Sequence, residues 1–450
     1  MGSVSNPLKF VVLLAALLAT PGSLHAQSRK GRPVPVDGLI FDLKNPDVVR
    51  RKDAAIALGA NKVTRAVPDL VAAAKDSDPA VRREIVIALD KILDRRGLPA
   101  FVALSTDQEK DIREKCIHAL IDLYLPEENG LGVTLNKVAN FFNPRSDEWA
   151  DVVIEPGVSV DPSAVAALRD RLSDPEEGIR VKAARALGIL RGHDAVPALL
   201  ESLGKDRSNA VRFEAVRALR KIGDAAVARD LLSYCTYSDA KVRNEAVFSI
   251  GRFRYREAVP ELTRLYQKES ALPTRQIDKQ YRDHLLDAIA FIADPGSKDL
   301  FLKEMKNPDD GLRLHAVEGI ARLGDAALAT DISRDHLHET DPKVLAAQAH
   351  ALYRMGRKES LDEVVVALAN RKTHNEARQY LVELRPEELP DLFAETRNND
   401  VAVRESLAEI FGIVGDSRAV APLQELAKDR RGQITALANQ ALRRIMARQQ

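Results

Sequence analysis

Residues 173–203 read SDPEEGIRVKAARALGILRGHDAVPALLESL, and the architecture of the chain follows from them. Ser173 or Asp174 caps a helix, and Pro175 sits in its first turn, where a missing N–H costs nothing. Ile179, Ala183, Ala186, Leu187 and Leu190 then recur at helical spacing as one apolar stripe. Gly188 lies just inside that stripe and predicts close approach of a neighbouring helix. Arg191-Gly192-His193-Asp194 reads as a turn, and a second helix opens at Ala195-Val196-Pro197 to bury Leu199, Leu200 and Leu203. A pair of this kind has two apolar faces and cannot cover both alone, so it must stack on neighbours like itself.

The neighbours are present. Related text begins at Asn45, Ser77, Ser208, Ser238, Asn307 and Asn398. The arginine after the first apolar residue serves as a ruler: Arg50, Arg82 and Arg113 stand 32 and 31 apart, and Arg180, Arg212 and Arg243 repeat 32 and 31. Such a period is two short helices and two turns. Weaker copies lie at 282–305, at 341–365, where Leu345 replaces the arginine, and at 374–393, where the turn around Arg385-Pro386 is shortened. The expected fold is all-α: a solenoid of about eleven helix pairs over 45–125 and 163–450, ended by a capping helix at 434–446. A long insertion, 126–162, interrupts it.

The shared D-P-x-V-R start, A-x-x-A-L core, terminal Gly and A-V-P-x-L second helix resemble HEAT repeats, specifically the short bacterial kind also found in phycobilisome bilin lyases. The resemblance covers nearly everything from Asn45 to Met446. It implies a ladder of aspartates and arginines between successive first turns, which gives Asp78, Asp174, Asp239, Arg82, Arg180 and Arg243 structural roles. Scaffolds, adaptors and a few enzymes share the fold, so bilin-lyase-like cofactor attachment or a chaperone-type role is the alternative that the resemblance carries.

Composition narrows the function. Lys and Arg number 67 against 66 Asp and Glu, so no global field draws nucleic acid or cations, and any partner is read by a local patch. Residues 1–26 carry one charge, Lys9, and an unbroken apolar run from Phe10 to Ala19, broken by Pro21-Gly22. This reads as a secretory signal with cleavage near Ala26. Ten apolar residues span about 15 Å as a helix, half of what a lasting membrane anchor needs. The expected product is periplasmic or secreted, without stable membrane insertion. Residues 27–44 read as a flexible, Pro-rich leader. Cys116 and Cys235 are the two cysteines. More than three helical layers should separate them, so no internal disulfide is expected.

Three places invite chemistry. The insertion holds the single tryptophan, Trp149, with Phe141 and Phe142, a short helix expected at 133–142 and an extended piece at 152–160. It reads as a partner-binding loop, or as a flap over adjacent layers. The run Arg252-Phe253-Arg254-Tyr255-Arg256 interleaves basic and aromatic residues as nucleic-acid surfaces do. Aligned on 187–194, however, it puts Phe253 at the buried Leu190 position and the rest in an ordinary turn, so nucleic acid is not an expected partner. His336-Leu337-His338-Glu339, near Asp335 and Asp341, could share an ion. It falls in a linker, and the several His-Glu pairs of HEAT hydroxylases are absent from the sequence. No nucleophile elbow, phosphate loop, zinc-protease helix or paired-cysteine motif occurs. The expectation is a non-catalytic scaffold without cofactor or metal. It would bind protein or peptide through a concave second-helix face and the insertion, with Phe141, Phe142, Trp149, Tyr234, Tyr255 and Tyr266 as contacts.

Overall fold

The computed structural model describes residues 35–125, 152–154 and 157–449. Phe141, Phe142, Trp149 and the helix expected at 133–142 lie outside them. The architecture is an all-α solenoid. Long helices run Val48–Ala60, Pro79–Ile92, Lys110–Asp122, Glu177–Ile189, Asn209–Ile222, Ala240–Arg252, Lys279–Ile292, Asp310–Leu323, Pro342–Arg354, His374–Val382 and Val401–Val414. Most are followed by a short 3-10 helix and then a second α-helix; after Lys110–Asp122 the next described helix is Pro162–Asp170, after His374–Val382 the 3-10 helix Pro386–Arg397 takes the place of a second α-helix, and Gly432–Gln449 ends the stack.

Local chemistry explains the starts and stops. Asp47, Asp78, Ser208, Asp239, Asp278, Asp309, Asp341 and Asp400 each accept backbone N–H bonds as the cap of a long helix. Second helices open on Val67-Pro68, Leu98-Pro99, Val196-Pro197 and Val259-Pro260, with proline in the first turn. The stripe Ile179, Ala183, Ala186, Leu187 and Leu190 is buried, and one continuous apolar core joins the units. Both cysteines are free and buried in it, where burial pushes the Cys235 thiol up to about 12.

Close packing of long helices is written into glycines. A Cβ on Gly59 would stand 2.5 Å from the Ala88 Cα, one on Gly188 2.8 Å from that of Ala218, and one on Gly251 2.7 Å from that of Ala288. Each glycine thus lets one long helix touch the backbone of the next.

The ladder differs from the expected one in its rungs. Asp78 and Asp239 are caps, bonded to backbone N–H groups, and neither pairs with a ladder arginine. The acid of most rungs stands six residues before the arginine position of its own unit, as Asp76 does before Arg82 and Asp107 before Arg113, whereas Asp278 and Asp309 stand four before Arg282 and Arg313. Arg82 reaches Asp107 of the next unit at 2.6 and 3.0 Å, while its other nitrogen donates to the carbonyls of Asp76 and Ser77 in its own turn. The same scheme joins Arg51 to Asp76, Arg113 to Asp174, Arg180 to Asp206, Arg313 to Glu339 and Arg404 to Asp429. Arg243 and Arg282 make single bonds to Asp278 and Asp309. The ruler therefore starts at Arg51, and the adjacent Arg50 is exposed.

Two further expectations change. Residues Val36–Asp42, assigned to the flexible leader, form a helix, and Leu43 behind it is buried. No strand forms among the described residues of 152–160; Ile154 instead buries its side chain and donates its N–H to the Ile189 carbonyl at 2.9 Å.

Burial raises the ladder carboxyls of Asp76, Asp107, Asp174 and Asp206, but the arginine bonds and a backbone N–H outweigh it and hold each below the usual 3.8. Their contribution to stability is complete above that value and is lost as pH falls through the depressed ones. Acid unfolding is thus expected to set in below about pH 4, read by helical circular dichroism. Arg113→Ala leaves the fully buried Asp174 side chain with Arg171 as its one ion-pair partner beside the Glu176 N–H, and should cost about 3 kcal/mol in urea titration. Arg264→Ala, which removes an exposed pair within one helix, should leave the midpoint in place.

Candidate binding face

Adjacent long helices touch along their length, whereas successive second helices scarcely meet one another. A stack whose two rows are unequally spaced bends toward the closer row. The concave side is therefore lined by the long helices, not by the second helices as the sequence suggested. On the second helices Lys205–Glu201 and Arg264–Glu261 stay within one helix, while Lys298–Asp325 and His336–Glu363 cross units. On the long helices Lys182–Glu114, Arg185–Glu214 at 2.6 Å and Arg220–Glu245 at 3.0 Å cross units.

Counting from the ladder arginine shows which residues line this face. Arg252, Phe291 and Arg322 stand nine residues after Arg243, Arg282 and Arg313; Phe248, Asp287 and Glu318 stand five after them. Arg220 lies 5.0 Å from the Phe248 ring centroid, and Arg252 4.5 Å from the same ring. Arg252 also stacks on Phe291 at 3.4 Å, with Arg322 at 3.9 Å from that ring. Five side chains from four consecutive units thus alternate cation and aromatic ring across the face.

Below the stack lies a dense group of titratable residues. Arg322 bonds Glu383 twice at 2.9 Å. Tyr380 donates its hydroxyl to Glu318 at 2.8 Å, and the His315 Nδ1 stands 3.4 Å from Glu318 and 3.7 Å from Asp287. Burial opposes ionisation of Glu318, yet His315 and Arg322 overcome it and hold the carboxyl at about 2. His350 stacks on Tyr380 with centroids 4.7 Å apart, and both its ring nitrogens are buried without a partner. Burial, with Arg322 and Arg354 nearby, drives its pKa down to about 4. Perturbed groups concentrated in this way are a feature that functional sites share with structural ion-pair networks.

The aromatic contacts expected from sequence fare differently. Tyr266 is 1% exposed and belongs to the core, so it offers no contact surface; its ring fills the apolar side of Val259–Ser270. Tyr234 and Tyr255 are half-buried and packed on the core. The run 252–256 divides, with Arg252 in the stack and Phe253 ending its helix as Leu190 does. Arg254, like Arg191, turns the chain with positive φ. His336 bonds Gln348 and Glu363, and Glu339 serves the ladder through Arg313, so these residues do not converge.

The sequence patterns of known families agree with this geometry. The HEAT-repeat pattern matches residues 36–121 and 157–220, and the PBS lyase HEAT-like repeat matches 211–235. Over those stretches the chain carries HEAT repeats. Similar solved structures include importin beta at 13% identity, covering 92% of this chain and 57% of that one, with a TM-score of 0.44. An engineered protein of a structural genomics programme shares 18% identity over 91% of this chain and 98% of its own, with a TM-score of 0.34. The complex of CpcE and CpcF of phycocyanin lyase from a Nostoc species shares 15% over 75% and 99%, with a TM-score of 0.26. Comparison with curated proteins gives no match.

His350 tests whether this group is tuned at the expense of stability. An unfolded histidine takes up its proton near pH 6.5, and the folded one does so only near 4. The residue therefore lowers stability progressively as pH falls between those values. His350→Phe keeps the stack on Tyr380 and removes two unpaired nitrogens. It should raise stability by about 1–3 kcal/mol at pH 5 and flatten the dependence between pH 4 and 6.5, measured by urea titration at each pH.

Proposed function

We propose that this HEAT-repeat chain is a non-catalytic scaffold that grips a protein or peptide along its concave long-helix face. The alternating stack Arg220, Phe248, Arg252, Phe291 and Arg322 carries the reading. Its members come from separate units and are held in place before any partner arrives, which lowers the cost of binding. Among the described residues, no carboxylate lies within ion-pair distance of Arg252, whose flat guanidinium is covered by aromatic rings. Its N–H edge suits the carboxylates of an acidic segment. Arginine and aromatic residues are also the usual anchors of protein interfaces.

The leader at 1–26 supports export, and N-terminal sequencing of the mature chain should begin near Gln27. The insertion with Phe141, Phe142 and Trp149 is proposed as a second point of contact. Neither nucleic acid nor a membrane is a proposed partner, since the chain is neutral overall and no helix among the described residues is long and apolar enough to span a bilayer.

The test is capture from an envelope extract by immobilised full-length chain. Arg252→Ala and Phe248→Ala are each expected to reduce capture by tenfold or more, in line with loss of an anchor worth about 2 kcal/mol. Arg264→Ala on a second helix should leave it unchanged. Equal capture by all three variants rejects the face. A shifted chromophore absorbance after incubation with a linear tetrapyrrole would replace the scaffold with a bilin-lyase-like factor.

A further inference from the structure

Asp287 on the Lys279–Ile292 helix meets His315 and Glu318 on Asp310–Leu323, and one donor atom of each lies within 4.8 Å of the others. Among the described residues this is the one group of three that converges so. The observed separations of 3.4 and 3.7 Å from His315 Nδ1 to the two carboxylates match donors on one ion, since tetrahedral bonds of about 2.0–2.1 Å set ligands about 3.4 Å apart. We propose that Asp287, His315 and Glu318 bind one divalent transition-metal ion of the zinc type.

Three features support the assignment. The Glu318 Oε1 is engaged by the Tyr380 hydroxyl, which leaves Oε2 turned to His315; an outer partner of this kind fixes a metal-binding carboxylate. Asp283, one turn before Asp287, has Oδ1 buried without a hydrogen bond, 3.7 Å from the Arg282 guanidinium, and adds a third carboxylate around the imidazole. Arg322 bonds Glu383 through Nε and Nη2, which keeps its Nη1 at 3.9 Å from the Glu318 Oε2, outside hydrogen-bond distance. Asp287 and His315 are partly exposed, so the group is reachable from solvent. One imidazole nitrogen with two carboxylate oxygens suits zinc or manganese better than magnesium, which prefers an all-oxygen set with several waters. The site lies beside the cation and aromatic stack, and it stands whether or not that stack binds protein.

Calorimetric titration of the full chain with zinc chloride should show one ion bound per chain. Asp287→Asn and His315→Asn are each expected to weaken binding at least tenfold with helical circular dichroism unchanged, whereas His336→Asn has no effect. A second measurement needs no variant. Zinc, but not magnesium, should protect His315 from diethyl pyrocarbonate, read by mass spectrometry, while His284 remains reactive. Absence of a bound ion, full affinity in both variants, or modification of His315 at the same rate with zinc present would each overturn the site.

Discussion

One arginine per unit does two jobs, and the shape of the molecule depends on both. Its Nη1 closes the turn that starts its own helix by bonding two backbone carbonyls, and its Nε and Nη2 grip a carboxylate of the next unit. Apolar stripes of leucine and alanine supply most of the attraction between layers, but such surfaces can slide. A two-pronged guanidinium to carboxylate bond cannot, because its planar geometry fixes distance and direction together. The ladder therefore sets the register of each long helix on the next. Any pattern on the concave face is a consequence of that register.

The ladder is uneven, and its gaps coincide with other cross-links. Arg212 meets Tyr237 where an acid would stand and stacks 5.3 Å above its ring. Leu345 occupies an arginine position and can make no rung at all. Around that gap the Asp310–Leu323 helix bonds directly to the His374–Val382 region through Tyr380 and Glu383, across 62 and 61 residues. The buried polar group thus sits where the ordinary rung is missing. Cross-linking by charged groups costs desolvation that an apolar contact would not, and His350 adds two unpaired nitrogens to that cost. A stack selected for stability alone has no use for it, whereas a binding face that needs charges held at fixed spacing does.

Most of the fold was legible because its signals are local. Caps, prolines after Val or Leu, and a glycine inside an alanine stripe each act within one or two turns, and their recurrence located the units. The ladder was half legible. Asp76 and Asp78 are two residues apart and chemically alike, yet one bonds an arginine of the preceding unit and the other caps its own helix. Nothing in the local text separates them. The paired arginines at 50 and 51 hid the true start of the ruler in the same way.

The proposed binding face was barely legible, for a physical reason. Phe248, Arg252, Phe291 and Arg322 each look, within their own helix, like a stray core aromatic or a solvated charge. Their meaning arises from the column they form when units stack. The signal that finds them is register: residues five and nine after each ladder arginine share one face, since those steps are close to whole turns from one another on a helix. Read down the columns rather than along the chain, the same counting sets Asp287 beside Glu318 and Arg252 beside Phe291 and Arg322. In a solenoid the functional motif is vertical. Each of its letters lies in a different repeat, separated by about thirty residues that serve only to bring the next letter level.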